Sequence, residues 1–388
     1  MLSGLEHFLG QVPASLKGAR VGLCCNPTAV DRQLRHAVEL LPAAGVPLTR
    51  IFGPEHGLFA AAQDMISVDN EGPEVVSLYG EDEASLHPTP ESLADLDVLL
   101  FDIQDIGARY YTYQATLGFM MEVAGKVDTK VVVLDRPNPI NGVDTEGNIV
   151  LPGFESFVSA YPLPIRHGMT MGELARYFQR YCGVECELEV VQCQGWRRDQ
   201  WFDAGDLPWV LPSPNMPTLD TATIYPGMCL IEGTNLSEGR GCTRPFHLIG
   251  APWLDPNQFA RLCRQGAQDS GLVGVGFRAA SFEPRFQKHA GQLCGGVEIH
   301  LQDRDALESV LLGLVVIEAA MRCNPEAFAW RTETYEYVDN PIAIDLLCGS
   351  AEGRLALESR VSPRDIVSSW AEARKAWLPQ RDRCLLYE

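Results

Sequence analysis

The sequence offers little to a polyanion. Lysine and arginine number 31 against 51 acidic residues, no basic run interrupts that deficit, and the formal net charge is −20. A phosphate backbone or an anionic lipid surface is repelled by such a mean field, so nucleic-acid and membrane partners are not expected. There is also no uninterrupted apolar run long enough to span a bilayer. The opening stretch, MLSGLEHFLGQVPASLKGAR, lacks the charged start, long apolar segment and small-residue cleavage site of an export signal. The expectation is a cytoplasmic protein.

Several catalytic signatures are missing too. The 12 cysteines are scattered with no CxxC pair, which excludes a zinc ribbon and leaves small buried thiols in a reducing compartment as the reading. The turn after the first apolar run, CCNPTAVDRQ, has neither GxGxxG nor GxxxxGK[ST], so no nucleotide cofactor is expected. Without HExxH or HxH, a metal site would need His56, His167 or His247 to meet Asp102 or Asp105 in space, and no metal is expected. No GxSxG elbow supports a serine nucleophile.

What is present suits a large soluble core: 46% of residues are hydrophobic and 21% charged. RVGLCCNP, PLTRIFGP, LDVLLFDIQD and KVVVLDRPNP are short continuous apolar runs closed by polar, Gly or Pro residues, the pattern of strands buried on both faces. Helical stretches fall between them: residues 29–45, a helix capped by Thr89 with Pro90 in its first turn, and YQATLGFMMEVAGK. Alternation of this kind predicts a Rossmann-like parallel α/β sheet domain, placed at 1–226, followed by a smaller α+β auxiliary domain at 227–388. The segment from Gly195 to Trp253 reads as irregular, and its aromatic content argues against disorder.

In parallel sheets the loops at the carboxyl ends of the strands line the binding crevice. All four predicted strands end in polar sequence, among them Pro54-Glu55-His56-Gly57, Asp102 to Asp105, and Asp135-Arg136-Pro137-Asn138. Glu55, in a partly buried cleft, would have its acid form favoured and serve as a proton donor; helix capping or pairing with an arginine is the equal alternative. Arg109, Tyr110, Tyr111 and Tyr113 follow Asp105. Aromatic faces with hydroxyls suit a sugar ring and arginine suits a carboxylate, although core packing explains any single tyrosine as well. IEGTNLSEGRG places Glu232, Asn235, Glu238 and Arg240 among glycines, either as a ligand loop or as a turn with an internal Glu238–Arg240 ion pair. Asn215 sits between prolines in LPSPNMPT.

Taken together, FGPEHGLF, FDIQDIGARYYTY, VVLDRPNPING, SPNMPTLDTATIYPGMCLIEGTNLSEGRG and GAPW resemble the NamZ-type exo-β-N-acetylmuramidases over nearly the whole chain. The resemblance implies a Rossmann-like domain with a C-terminal auxiliary domain and an active site between them. It also implies removal of N-acetylmuramic acid from the non-reducing end of peptidoglycan fragments, without a cofactor. Glu55 would be a catalytic carboxyl group, with Glu238, Asp102 or Asp105 as its partner. Arg109, Arg136 or Arg240 would grip the lactyl carboxylate, with His56, Asp105, the tyrosines, Asn138, Asn215, Glu232 and Asn235 around the substrate. A muropeptide or amino sugar is the implied partner. The alternatives are a metal-dependent hydrolase using His56 with aspartates and a non-catalytic muropeptide-binding protein.

Overall fold

The computed structural model describes residues 1–54, 73–80 and 82–388. Its main sheet is built from β1 (Val21–Cys25), β2 (Leu48–Gly53), β3 (Glu74–Ser77), β4 (Val98–Asp102) and β5 (Lys130–Leu134). A hairpin of β6 (Glu146–Ile149) and β7 (Pro164–Arg166) intervenes before β8 (Leu188–Val191) completes that sheet. The order is β3-β2-β1-β4-β5-β8, all neighbours parallel. The order reverses between β1 and β4, the switch point at which open α/β sheets bind ligands.

Strand periodicity separates two cores. Val21, Leu23, Cys25 and Leu100 face a smaller apolar cluster with Leu5 and Leu41, whereas Cys24, Leu99, Phe101 and Val133 face the larger one. The larger core continues without a break into the C-terminal half, through Phe246, Phe259, Val297 and Leu312. There β9 (Leu248–Ala251), β10 (Val275–Phe282) and β11 (Cys294–Leu301) form an antiparallel sheet in the order β10-β11-β9. The second, smaller unit is therefore of the α+β type expected. The helix Leu219–Met228 runs through position 226, and it packs on the helix Ser309–Cys323 where Gly227 and Gly313 let the backbones approach. The chain's end returns to the first unit: Tyr387 Oη donates to Asp135 Oδ2 at 2.5 Å and Leu386 N to Glu173 Oε1 at 2.8 Å.

The helix Tyr113–Lys126 and the cap at Thr89 agree with the sequence reading; Thr170 and Glu173 form a capping box, and Asp255 and Ser362 cap two further helices. The helix expected over 29–45 shortens to Ala37–Ala43. Asp31 is the reason: its carboxylate accepts from the backbone N–H of Gln33 and Arg35 at 2.9 Å each, competing with helix hydrogen bonds, and Leu34 turns at φ 63°. Among the described residues no helix is long and apolar enough to cross a membrane.

Candidate active site

The rim at the carboxyl ends of β1, β4 and β5 is densely hydrogen-bonded. Thr28 Oγ1 donates to Asn26 Oδ1 at 2.6 Å and accepts from Gln104 N at 2.9 Å, tying the β1 and β4 loops across the switch point. Asp102 is fully enclosed and takes the Arg136 guanidinium at both oxygens, at 2.5 and 3.0 Å; Arg136 also donates to Val30 O. Asn138 is occupied by Met169 O and Ile140 N. Asp105 accepts from Gly107 N at 2.7 Å and lies 3.5 Å from His167 Nε2. His167 Nδ1 accepts from Met169 N, which leaves Nε2 as the ring nitrogen facing Asp105. Asn26 Nδ2, Gln104 Oε1, Asp105 Oδ1 and His167 Nε2 are buried with no hydrogen-bond partner among the described residues. Glu55 and His56 lie outside the described residues.

A pocket opens beside the first turn of the helix Tyr113–Lys126. Its cavity volume is about 60 Å³, and it opens to solvent. Tyr110, Tyr111 and Tyr113 form one wall, Ser213, Asn215 and Met216 another, and Tyr225, Glu232, Arg240, Phe246, Tyr335 and Glu336 the rest. The rings interlock edge to face: Tyr111 sits 5.1 Å from Tyr113 and 5.6 Å from Tyr225, and Tyr225 sits 4.8 Å from Phe246. Tyr110 and Tyr113 donate their hydroxyls to the carbonyls of Pro226 and Pro212, which fixes both rings. Burial pushes the Tyr110 and Tyr225 hydroxyls well above the ordinary phenol range, so they stay protonated.

Arg240 is the charged centre of the pocket. Its Nη2 donates to Glu232 Oε1 at 2.5 Å and its Nε to Glu238 Oε1 at 2.8 Å, while the guanidinium carbon lies 5.5 Å from the Phe246 ring centre. Tyr335 Oη donates to the other Glu232 oxygen at 2.9 Å, and Lys288 Nζ stands 3.0 Å from Glu238 Oε2. Burial alone would raise the Glu238 carboxyl, but the charges of Lys288 and Arg240 outweigh it and hold it below the usual carboxylate range. A carboxylate kept ionised this way has no proton to donate. Glu238 is paired with both Arg240 and Lys288, and it is not among the residues that line the pocket.

The other expected site residues fall on both sides of this division. Tyr110, Tyr111, Tyr113, Asn215, Glu232 and Arg240 share the pocket. Arg109 does not reach it: the fully buried guanidinium donates to the carbonyls of Asn148, Leu163 and Leu347, and burial draws its pKa down to about 10. Asn235 is likewise outside, its Nδ2 on Ala327 O. Asp102, Asp105, Arg136 and Asn138 belong to the rim. Tyr225, Phe246, Tyr335 and Glu336 were not singled out; Tyr335 and Glu336 sit in TETYEYVDN, whose only sequence signal is aromatics beside carboxylates. His247 is buried with its Nδ1 2.9 Å from Ile299 O. Among the described residues no group of three His, Cys, Asp or Glu is arranged to hold a metal ion, and all 12 cysteines are free thiols.

Comparison with known proteins places this geometry. Family models described as exo-beta-N-acetylmuramidase NamZ, N-terminal and C-terminal, match residues 21–220 and 223–387. The chain is 41% identical over 391 residues to the peptidoglycan beta-N-acetylmuramidase NamZ of Bacillus subtilis strain 168, covering 99% of this chain and 91% of that one. Two crystal structures of DUF1343 family proteins from Bacteroides fragilis NCTC 9343 share the fold. One has a TM-score of 0.87 at 32% identity and the other 0.77 at 28%, each match covering 100% of this chain and 99% of the other.

Proposed function

The chain belongs to the exo-β-N-acetylmuramidase NamZ family, and from that premise we propose that it is an exo-acting glycoside hydrolase releasing N-acetylmuramic acid from the non-reducing end of peptidoglycan fragments. The observation that carries the reading is one pocket in which tyrosine faces meet a guanidinium. A muramic sugar has both complements, a ring of alternating apolar and polar faces and a lactyl carboxylate. Arg240 takes the carboxylate, held ready by Glu232 and Glu238, with Asn215 beside the ring.

Glu55 is the proton donor of this proposal, on the strength of its place in the PEHG motif directly after β2. Of the three partners considered for it, Asp102 has both oxygens on Arg136, and Glu238 is paired with Arg240 and Lys288. Asp105 keeps an oxygen without a partner among the described residues, and the second role is assigned to it. The product anomer then reports the spacing of the two carboxyl groups, close for retention and wider for inversion. Free thiols throughout fit a reducing compartment.

The test is turnover of a chromogenic N-acetylmuramide without added metal. Glu55→Gln should lower the rate by roughly a hundredfold to ten-thousandfold, the usual worth of a general acid. Normal turnover by that variant would remove Glu55 from the mechanism.

A further inference from the structure

An exo-acting enzyme holds the terminal sugar in its pocket, so the sugar on the far side of the cleaved bond must lie at or beyond the mouth. A loop of the second unit stands beside the pocket wall with an aromatic ring turned to solvent. This is the connection between β10 and β11, where Phe286 is 60% exposed.

The loop is fixed to the segment that carries Arg240. Arg285 N donates to Arg240 O at 3.2 Å, Lys288 Nζ donates to the carbonyls of Ile231 and Thr234 at 3.0 Å each while meeting Glu238, and His289 Nε2 lies 2.7 Å from Asn235 O. Gln287 and His289 both take positive φ, 58° and 60°, a conformation non-glycine residues adopt only when their surroundings hold them there. The Phe286 ring itself rests on Gly241, the residue after Arg240. Gly241 has φ +76°, and a Cβ there would come within 2.8 Å of Phe286 Cδ2 and 2.7 Å of Arg285 Cβ. A large apolar side chain is thus exposed on a loop bonded to the backbone of Arg240, and it touches the glycine that follows that residue in the chain.

We propose that Phe286 is the platform for the aglycone: the amino sugar that follows the scissile bond stacks its apolar face on this ring while the muramic sugar occupies the pocket. This rests on the exo-muramidase reading and adds a specificity residue to it. Stacking contributes to binding of the disaccharide and not to binding of the terminal sugar alone.

The experiment compares two affinities in the Glu55→Gln background, where the disaccharide of a muramic sugar and the following amino sugar survives a titration. Calorimetry gives Kd for that disaccharide and for N-acetylmuramic acid. Adding Phe286→Ala should raise the ratio of the two by about tenfold, the scale of one aromatic contact, and Phe286→Trp should return it to the parent value. If Phe286→Ala shifts both affinities equally, or neither, the platform is overturned. Failure of the unmodified protein to cleave the disaccharide would count against the exo-muramidase reading, and the calorimetric ratio would still decide the role of Phe286.

Discussion

Of the many arginines that meet carboxylates in this molecule, Arg136 and Arg240 do so to opposite ends. At the sheet rim, Arg136 and Asp102 form a closed fork, with side chains 5% and 0% exposed and Val30 O taking a further donor. In the pocket, Arg240 is held by two carboxylates, yet its side chain remains 18% exposed and faces the cavity. The charge accounting explains the difference. One carboxylate and one guanidinium cancel at the rim and leave nothing to offer. At the pocket, Glu232, Glu238, Arg240 and Lys288 sum to zero and Glu336 adds a further carboxylate to the lining, but Lys288 shares Glu238 with Arg240, whose guanidinium keeps a face toward the cavity. An arginine beside an acid therefore says little by its sequence; what separates scaffold from site is whether the pair is sealed.

Breaking the sealed pair should have the largest effect. Asp102→Asn leaves Arg136 charged and buried with half its partner gone, a change that costs about 3–5 kcal/mol of stability. Thermal denaturation should show a large loss, while kcat of the protein that stays folded should hold near the parent value. A selective loss of kcat with unchanged melting would move Asp102 from scaffold to chemistry and erase the contrast. A smaller effect is expected at the open site. Arg240→Lys keeps a cation and discards the planar fork, so KM for a muramic substrate should rise by about tenfold with little change in melting. Binding of N-acetylglucosamine, which lacks the lactyl carboxylate, should not follow. Equal weakening of both sugars would mean that Arg240 shapes the pocket without reading the carboxylate.

The same contrast explains how far the sequence could be read. Four strands buried on both faces were legible because continuous apolar runs have few other uses, and Asp102 and Arg136 were rightly placed at strand ends. That they face each other could not be seen, since 34 residues separate them and only the register of β4 beside β5 brings them together. Tyr110, Tyr111 and Tyr113 were found because they cluster within four positions, and Arg240 because glycines flank it. Tyr335 joins Glu232 across 103 residues and left no local trace. Arg109 carried the same local signal as a ligand arginine, and only the carbonyls of Asn148, Leu163 and Leu347 around it reveal a packing role. The short strand β3 was missed because Glu74–Ser77 is largely exposed and lacks the apolar run that marks its neighbours.

The smallest expected effect refines the rim itself. Asp135, next to Arg136, is buried under the C-terminal tail and accepts from Thr170 Oγ1, Tyr387 Oη and the backbone N–H groups of Arg136 and Gly172. Burial raises its carboxyl to about 6, with those hydrogen bonds only partly opposing the shift. Since the folded value lies above the unfolded one, the fold gains from the protonated form. That stability is full below the unfolded value of 3.8 and is lost as pH rises through about 6. The rim should accordingly weaken by about 1 kcal/mol between about pH 5 and pH 7 on account of this one group. Asp135→Asn keeps an acceptor for the two backbone N–H groups and can donate to the hydroxyls of Thr170 and Tyr387, so it should flatten that part of the pH–stability curve without lowering it. Denaturant titrations of both proteins across this interval would show the curves converging toward the acid side. If the two curves instead run parallel, Asp135 is ionised throughout and the C-terminal tail is held by a charge.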